Sequence, residues 1–370
     1  MKETRKQFPF AAVAALATFA GDLQAQLNPT IYGVADVGFF SGQQAGVSTH
    51  RINGAGGNLS SRFGFRAVEQ ISADLSAGFT LESSLQWDNG LGSIAPNSID
   101  NRTPGAANAP IMFDRKSTVN LISKRMGEFR FGRDYVPTFF NWAAYDPFGF
   151  VGVGSIQNIA ASNVSQISTT QVATRASNSI AYLSPPFLGG LTIHLMVASG
   201  ENASNAAARS SGHYQSVRAV YRAGKFEAAV GSSTVNLSAG DVTLTNGGAA
   251  YDLGVVKISG MFFRDRRDAV IAVGANRSHG WLVGATWRGG AGTIPISYSQ
   301  IEDNSNAPAG KNAARKLAFG YVHNLSRRTA LYATYAVINN RNRAAATAGG
   351  PPPVAGAKWT GYDIGVRHTF

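Results

Sequence analysis

From about residue 30 onward, apolar and polar residues alternate along short runs, and this period-two pattern constrains the fold more than any other feature. Phe63 and Phe65 interleave with Arg62, Gly64 and Arg66, and Val217, Ala219 and Tyr221 with Ser216, Arg218 and Arg222. Leu331, Ala333, Tyr335 and Val337 alternate with Tyr332, Thr334 and Ala336. The final run does the same: Tyr362, Ile364, Val366, His368 and Phe370 alternate with Gly361, Asp363, Gly365, Arg367 and Thr369. Successive side chains of a strand point to opposite faces, so each set occupies one face. The face opposite the apolar one is rich in Gly, Ala, Ser, Thr and Arg, not in the large aliphatics that fill a sandwich core. A small polar face backed by an apolar one suits a water-filled barrel in lipid. A sheet that spans lipid must close, because no water is there to satisfy an open edge. Beyond the first segment no stretch of 18 consecutive apolar residues occurs, so no helical span is expected.

The connections alternate in length. Short turns are expected at Ser72–Leu75, Arg125–Glu128, Pro185–Gly190, Ala223–Lys225, Asp252–Gly254, Gly289–Gly292 and Asn324–Thr329. Longer polar stretches, rich in Gly, Asn, Ser and Pro, fall near 44–60, 88–111, 138–173, 201–212, 235–247, 265–279, 302–314 and 340–357. Short-long alternation is the meander of an outer-membrane barrel. Seven short and eight long connections predict an all-β fold: a 16-stranded antiparallel transmembrane β-barrel.

Composition narrows the function. Charged residues are 15%, against about 25% in an ordinary soluble domain. With no cysteine among 370 residues, disulfide scaffolds, Cys-ligated metal sites and cysteine nucleophiles are excluded. A basic n-region (Lys2, Arg5, Lys6) precedes an uncharged run from Phe8 to Ala20, too short to span a bilayer and suited to a secretory signal. Two cleavage points compete, after Ala20 in Thr18-Phe19-Ala20 and after Ala25; we take residues 1–25 as signal and 26–370 as barrel. Removing 1–25 takes three basic and two acidic residues, so the net charge falls only from +12 to +11. Export makes a nucleic-acid partner for that charge improbable.

Particular segments resemble the general porins of Gram-negative bacteria, in their β-proteobacterial branch. Ile31-Tyr32-Gly33-Val34-Ala35-Asp36 resembles the family's opening strand, and Ser61-Arg62-Phe63-Gly64-Phe65-Arg66 its second. Phe131-Gly132-Arg133 resembles the strand entering the constriction loop, and Asn178-Ser179-Ile180-Ala181-Tyr182-Leu183-Ser184-Pro185 the strand leaving it. The segment from Gly320-Tyr321 through Asn324-Leu325-Ser326-Arg327-Arg328-Thr329 resembles the last hairpin. Phe370 matches the terminal aromatic read by the barrel-assembly machinery. The resemblance implies a homotrimer in the outer membrane, in contact with lipid and lipopolysaccharide. It implies a third long loop folded into the lumen, passive passage of ions and small hydrophilic solutes, and no cofactor.

Selectivity in such a pore comes from its width and the sign of charge at its narrowest point. The longest loop, about 138–173, holds Asp146 as its only acid and is rich in aromatics: Phe139, Phe140, Trp142, Phe148 and Phe150. These rings either narrow the channel or only anchor the loop. Parity turns Arg62, Arg66 and Arg175 inward, and Lys116 with them. Arg133 and Arg115 share parity with outward residues, so Arg133 needs a bulge near Gly132 to turn in. Arg218, Arg222, Lys257 and Arg367 have lumen parity on distant strands. The expected constriction is therefore Arg62, Arg66, Arg133, Arg175, Arg115 and Lys116 facing Asp146, giving a weakly anion-selective pore. A substrate-specific channel for phosphate or organic acids is the alternative. An outer-membrane enzyme barrel is less favoured, because none of the six histidines has a hydrolase or metalloprotease spacing.

Overall fold

A computed structural model describes residues 29–92, 112–165, 174–238, 240–268, 277–304 and 310–370. The signal segment and parts of the expected loops at 88–111, 138–173, 235–247, 265–279 and 302–314 lie outside the described residues. Seventeen strand segments form one antiparallel sheet whose last strand, β17 (Trp359–Thr369), pairs with its first, β1 (Thr30–Gln44). The sheet is thereby closed. The second stave is made of two segments: β2 (Val47–Asn53) pairs with the upper part of β1 and β3 (Arg62–Gln70) with its lower part, so the barrel has sixteen staves.

Two expected loops are shorter than the sequence suggested. About half of the stretch at 44–60 is strand: β1 turns into β2 through Ala45 and Gly46, at φ 49° and 81°. Two left-handed residues make a tight hairpin whose twist matches its strands. Only 54–61 leaves the sheet. The stretch at 235–247 shrinks to a short link, because β11 (Val242–Asp252) pairs with β10 (Phe226–Val235) from its first residue.

The outer wall carries the large apolar side chains, among them Ile180 at 50% exposure, Leu317 at 52% and Ile364 at 54%. Outward aromatics cluster near both ends of the wall. Phe129 packs on Tyr182 near one set of turns, at 4.9 Å between ring centres, and Trp281 on Tyr298 near the other, at 5.5 Å. These are the interfacial girdles of a membrane barrel.

Inside, the lumen is partly filled. The segment after β6 (Gly127–Tyr135) folds inward as α1 (Phe139–Tyr145) and α2 (Gln157–Ala160) before the chain returns to β7 (Arg175–Leu183). Trp142, Ile156, Ile159 and Val164 of this loop pack on Leu244, Phe263, Leu282, Ile301 and Ile338 of the wall. The lumen face is thus not uniformly small and polar. Where the loop lies, it is an apolar floor, and each large side chain buried there contributes about 1.5–3 kcal/mol. Close approach requires absent side chains. A Cβ on Gly248 would stand 2.6 Å from the Tyr145 ring, and one on Gly284 2.5 Å from Pro147.

Candidate functional site

Hydrogen bonds from the loop to the wall fix its course. Ser259 donates to the Tyr145 carbonyl at 2.8 Å, and the Val153 N–H donates to Asp363 at 3.1 Å. Ser165 donates to Asp265 at 2.9 Å, and the buried Lys316 ammonium donates to the Ser155 carbonyl. The distant lumen cations grip infolded chain. Arg218 donates to Asn141 at 2.6 Å, Lys257 to the Ala144 carbonyl at 3.4 Å and Arg367 to Asn58 at 2.7 Å. Arg222 instead pairs with Glu227 at 2.6 Å.

A second infolded segment, 54–61, joins the loop. Asp36 on β1, wholly buried, accepts the N–H groups of Gly57, Asn58 and Leu59 at 3.1, 3.0 and 2.7 Å. The Tyr332 hydroxyl donates to the same carboxylate at 2.6 Å. Gly152 of the large loop lies directly against the Gly57 carbonyl.

Together these segments leave a cavity of about 450 Å³ against the opposite wall, lined by Leu59, Ser60, Arg62, Glu82, Arg115, Tyr135, Phe139, Phe150, Gln157 and Arg175. The structure brings together Arg62, Arg115 and Arg175. Arg115 donates through Nε to Glu82 at 2.7 Å and through Nη2 to the Tyr135 hydroxyl at 2.7 Å. Arg175 donates to that hydroxyl at 3.0 Å and lies over the Tyr135 ring at 4.5 Å. Arg62 Nε stands 3.4 Å from Glu82.

The other expected cations stand apart from the cavity lining. Arg66 lies over the Tyr32 ring at 5.2 Å, and Lys116 pairs with Asp134 at 3.5 Å. The strand pairing shifts register between Gly132 and Asp134, with Gly132 at φ 122°, a bulge that only glycine adopts without strain. Arg133, at 8% exposure, donates there to the Asp114 carbonyl at 2.6 Å and to Ser177 at 2.8 Å.

Asp146 does not face the passage. It is 4% exposed and accepts the N–H groups of Phe148, Phe150 and Ile156 at 3.0, 3.2 and 2.9 Å. Burial holds its carboxyl above the usual carboxylate range, with the Lys316 ammonium and these donors pulling the other way. It staples the loop to itself.

The acid of the cavity is Glu82, which our sequence reading missed. Its signal was present: on β4 (Leu75–Ser84) it has the inward parity of Gly78 and Thr80, opposite Phe79 and Leu81. Tyr135 was missed because it follows the bulge, where parity no longer applies.

The loop aromatics divide. Phe139 and Phe150 line the cavity, with Phe139 stacked on Tyr135 at 4.8 Å. Trp142 anchors on Phe263 at 4.7 Å and Phe140 on His194 at 5.5 Å. Phe150 sits at φ 66°, a strained conformation for a bulky residue. Its N–H bond to Asp146 and its packing between Phe139 and Trp142, at 5.6 and 5.7 Å, hold it there.

A closed barrel with an apolar exterior, interfacial aromatic girdles and infolded chain narrowing a charged interior defines a diffusion channel of the bacterial outer membrane. The chain belongs to the Gram-negative porin family, whose model matches residues 12–343. It is 31% identical to outer membrane porin protein 32 of Delftia acidovorans over 376 residues, covering 97% of this chain and 98% of the relative. It is 25% identical to an outer membrane porin protein of Bordetella pertussis over 412 residues, with 97% and 98% covered. Its fold superposes on the anion-selective porin from Comamonas acidovorans with a TM-score of 0.78 at 28% identity, covering 93% of this chain and 100% of the other. The trimer form of OmpT from Vibrio cholerae shares the fold, with a TM-score of 0.64 at 12% identity, covering 93% and 99%.

Proposed function

We propose that this porin passes small hydrophilic solutes by passive diffusion and weakly prefers anions. The observation that carries the reading is the constriction: Arg62, Arg115 and Arg175 share a cavity with a single carboxylate, Glu82. Three guanidinium groups against one carboxylate attract anions and repel cations, and guanidinium does not deprotonate in proteins. Arg66 and Arg133 lie on the neighbouring wall and add to the same field, whereas Lys116 is offset there by Asp134. The Comamonas acidovorans porin of similar fold is described as anion-selective, which supports the same sign here. Loop carbons, chiefly Phe139 and Phe150, set the width from the other side. The pore does no chemistry of its own in this reading.

The remaining features follow the family resemblance. Residues 1–25 act as a cleaved export signal, Phe370 serves as the assembly signal, and three copies form the working unit. In the closed barrel Phe370 exchanges backbone hydrogen bonds with Gly33 at 3.0 and 3.1 Å, so the same residue also closes the sheet. Conductance in a planar bilayer tests the transport mode. A conductance linear in salt and in a phosphate or succinate series supports a general pore. Saturation with one solute favours the substrate-specific reading. A heat-modifiable gel that shows a single-barrel species before heating would contradict the trimer.

A further inference from the structure

The cavity of the constriction is cationic on one side and aromatic on the other. Among the described residues, the loop from Phe139 to Gln157 adds one polar side chain to the lining, Gln157, beside the rings of Phe139 and Phe150. Those rings continue into the wall. Phe139 stacks on Tyr135 at 4.8 Å with 22° between their planes, and Phe150 meets Phe139 edge-on at 5.6 Å and 86°. Tyr135 in turn lies under the Arg175 guanidinium at 4.5 Å. Aromatic faces and guanidinium groups thus border one space of about 450 Å³, inside the range of about 300–1,000 Å³ that holds small organic ligands. Two of the guanidinium groups keep donors to spare. Arg115 is committed to Glu82 and to the Tyr135 hydroxyl. Arg62 gives Nη1 to the Ser60 carbonyl at 2.9 Å and Nε to Glu82, which leaves Nη2. Among the described residues Arg175 gives only Nη2, to the Tyr135 hydroxyl, which leaves Nη1. The backbone is strained to hold the phenyl ring at position 150, at φ 66°, and such strain collects where the placing of a side chain matters. Asp146 fixes that turn by accepting the N–H groups of Phe148 and Phe150.

We propose that the constriction retains aromatic carboxylates in preference to other small anions, with the carboxylate on Arg62 and Arg175 and the ring against Phe139 and Phe150. The proposal rests on the anion preference above and names the class of anion; the retention is laid over general diffusion and does not replace it. The chemistry selects this class. Guanidinium groups take a carboxylate through paired N–H donors and stack on rings. Aromatic rings gain from edge-on or offset contact with one another beyond the area they bury. An aliphatic acid meets the same rings with buried area alone. A sugar finds few hydrogen-bonding partners on the loop side, where Gln157 stands alone between phenyl rings.

The test uses the full-length protein in a planar bilayer at neutral pH, with sodium benzoate and sodium cyclohexanecarboxylate as probes. Both are monovalent carboxylates on a six-membered ring. The cyclohexyl ring is the larger and more apolar, so burial alone favours it. The readout is the probe concentration that halves the chloride current. Benzoate is expected to need about a fifth of the cyclohexanecarboxylate concentration, the factor that one aromatic pair supplies. Phe150→Leu keeps an apolar side chain without an aromatic face, and it should raise the benzoate concentration until the two probes match. Phe150→Tyr should keep the preference. The wild-type ratio alone decides the proposal where Phe150→Leu fails to assemble. Reversal potentials in potassium chloride are recorded on the same channels. Chloride preference with equal block by the two probes overturns this proposal and leaves the anion preference standing, whereas potassium preference overturns both. A benzoate preference that survives Phe139→Leu combined with Phe150→Leu also overturns it.

Discussion

Replacing Glu82 with Gln isolates the electrostatic part of the constriction. The carboxylate contacts Arg115 at 2.7 Å and Arg62 at 3.4 Å, and the Tyr32 hydroxyl donates to it at 3.1 Å. Gln has the same shape, and its Oε1 still accepts from the Arg115 Nε, so the guanidinium groups keep their places while one negative charge leaves. A cavity of about 450 Å³ puts an ion near its centre about 6 Å from that carboxylate, where a unit charge is worth about 0.7 kcal/mol in water. At 0.1 M salt the Debye length of about 10 Å reduces this to about 0.4 kcal/mol. An anion gains that amount on the substitution and a cation loses it. The anion-to-cation permeability ratio of Glu82→Gln should therefore rise about fourfold over wild type. Reversal potentials across a planar bilayer under a potassium chloride gradient measure the ratio directly, and repetition at 1 M salt should shrink the difference as screening strengthens. An unchanged ratio, or a shift toward cations, would refute the placement of Glu82 at the point where ions are selected.

Four further substitutions probe the scaffold and the infolded loop. Gly132→Ala puts a Cβ onto the Ser117 carbonyl at a left-handed position, so it should cost about 1–3 kcal/mol, read as a lowered urea midpoint of the reconstituted barrel. Tyr332→Phe removes the hydroxyl that donates to the buried Asp36 carboxylate, at a cost of about 1.5–3 kcal/mol. It should loosen segment 54–61, and single-channel recordings should show added open-channel noise. Phe150→Ala should raise single-channel conductance because that ring lines the cavity, whereas Trp142→Ala should cost about 3–5 kcal/mol of stability through the lost contact with Phe263.

Most of the barrel was legible because alternation is a physical demand of a wall with water on one side and lipid on the other. All seven short turns fell where the sequence placed them, at the seams between runs. What was hidden sits where that demand lapses. In the upper parts of β11, β12 (Val256–Arg267) and β13 (Arg277–Gly289) the inward positions are apolar (Leu244, Phe263, Leu282) because the loop fills the lumen there. The outward ones are polar (Thr243, Arg264, His279). A strand with inverted polarity reads as loop, and the start of β11 was lost that way. The β1–β2 hairpin was lost because its turn is Ala45-Gly46, without the Asn or Asp that usually marks such a turn.

Around the cavity, parity placed Arg62 and Arg175 on the lumen side, where both line it, since both lie on regular stretches of strand. It could not reach Arg115, which ends up against Glu82 although it shares parity with the outward Val119. Nor could it decide what the loop does with its single acid. A carboxylate among five aromatics has few other donors, and Asp146 takes its own loop's N–H groups in preference to open water. The role of segment 54–61 was invisible for a related reason: the aspartate that holds it, Asp36, lies in a strand that otherwise reads as wall.

The most direct measurement of the account is the zero-current potential of the wild-type pore beside a variant with Arg62, Arg115 and Arg175 all replaced by Gln. Anion preference is expected in wild type and its loss or reversal in the variant, at unchanged or larger conductance. Cation preference in wild type, or anion preference that survives the triple replacement, would contradict it.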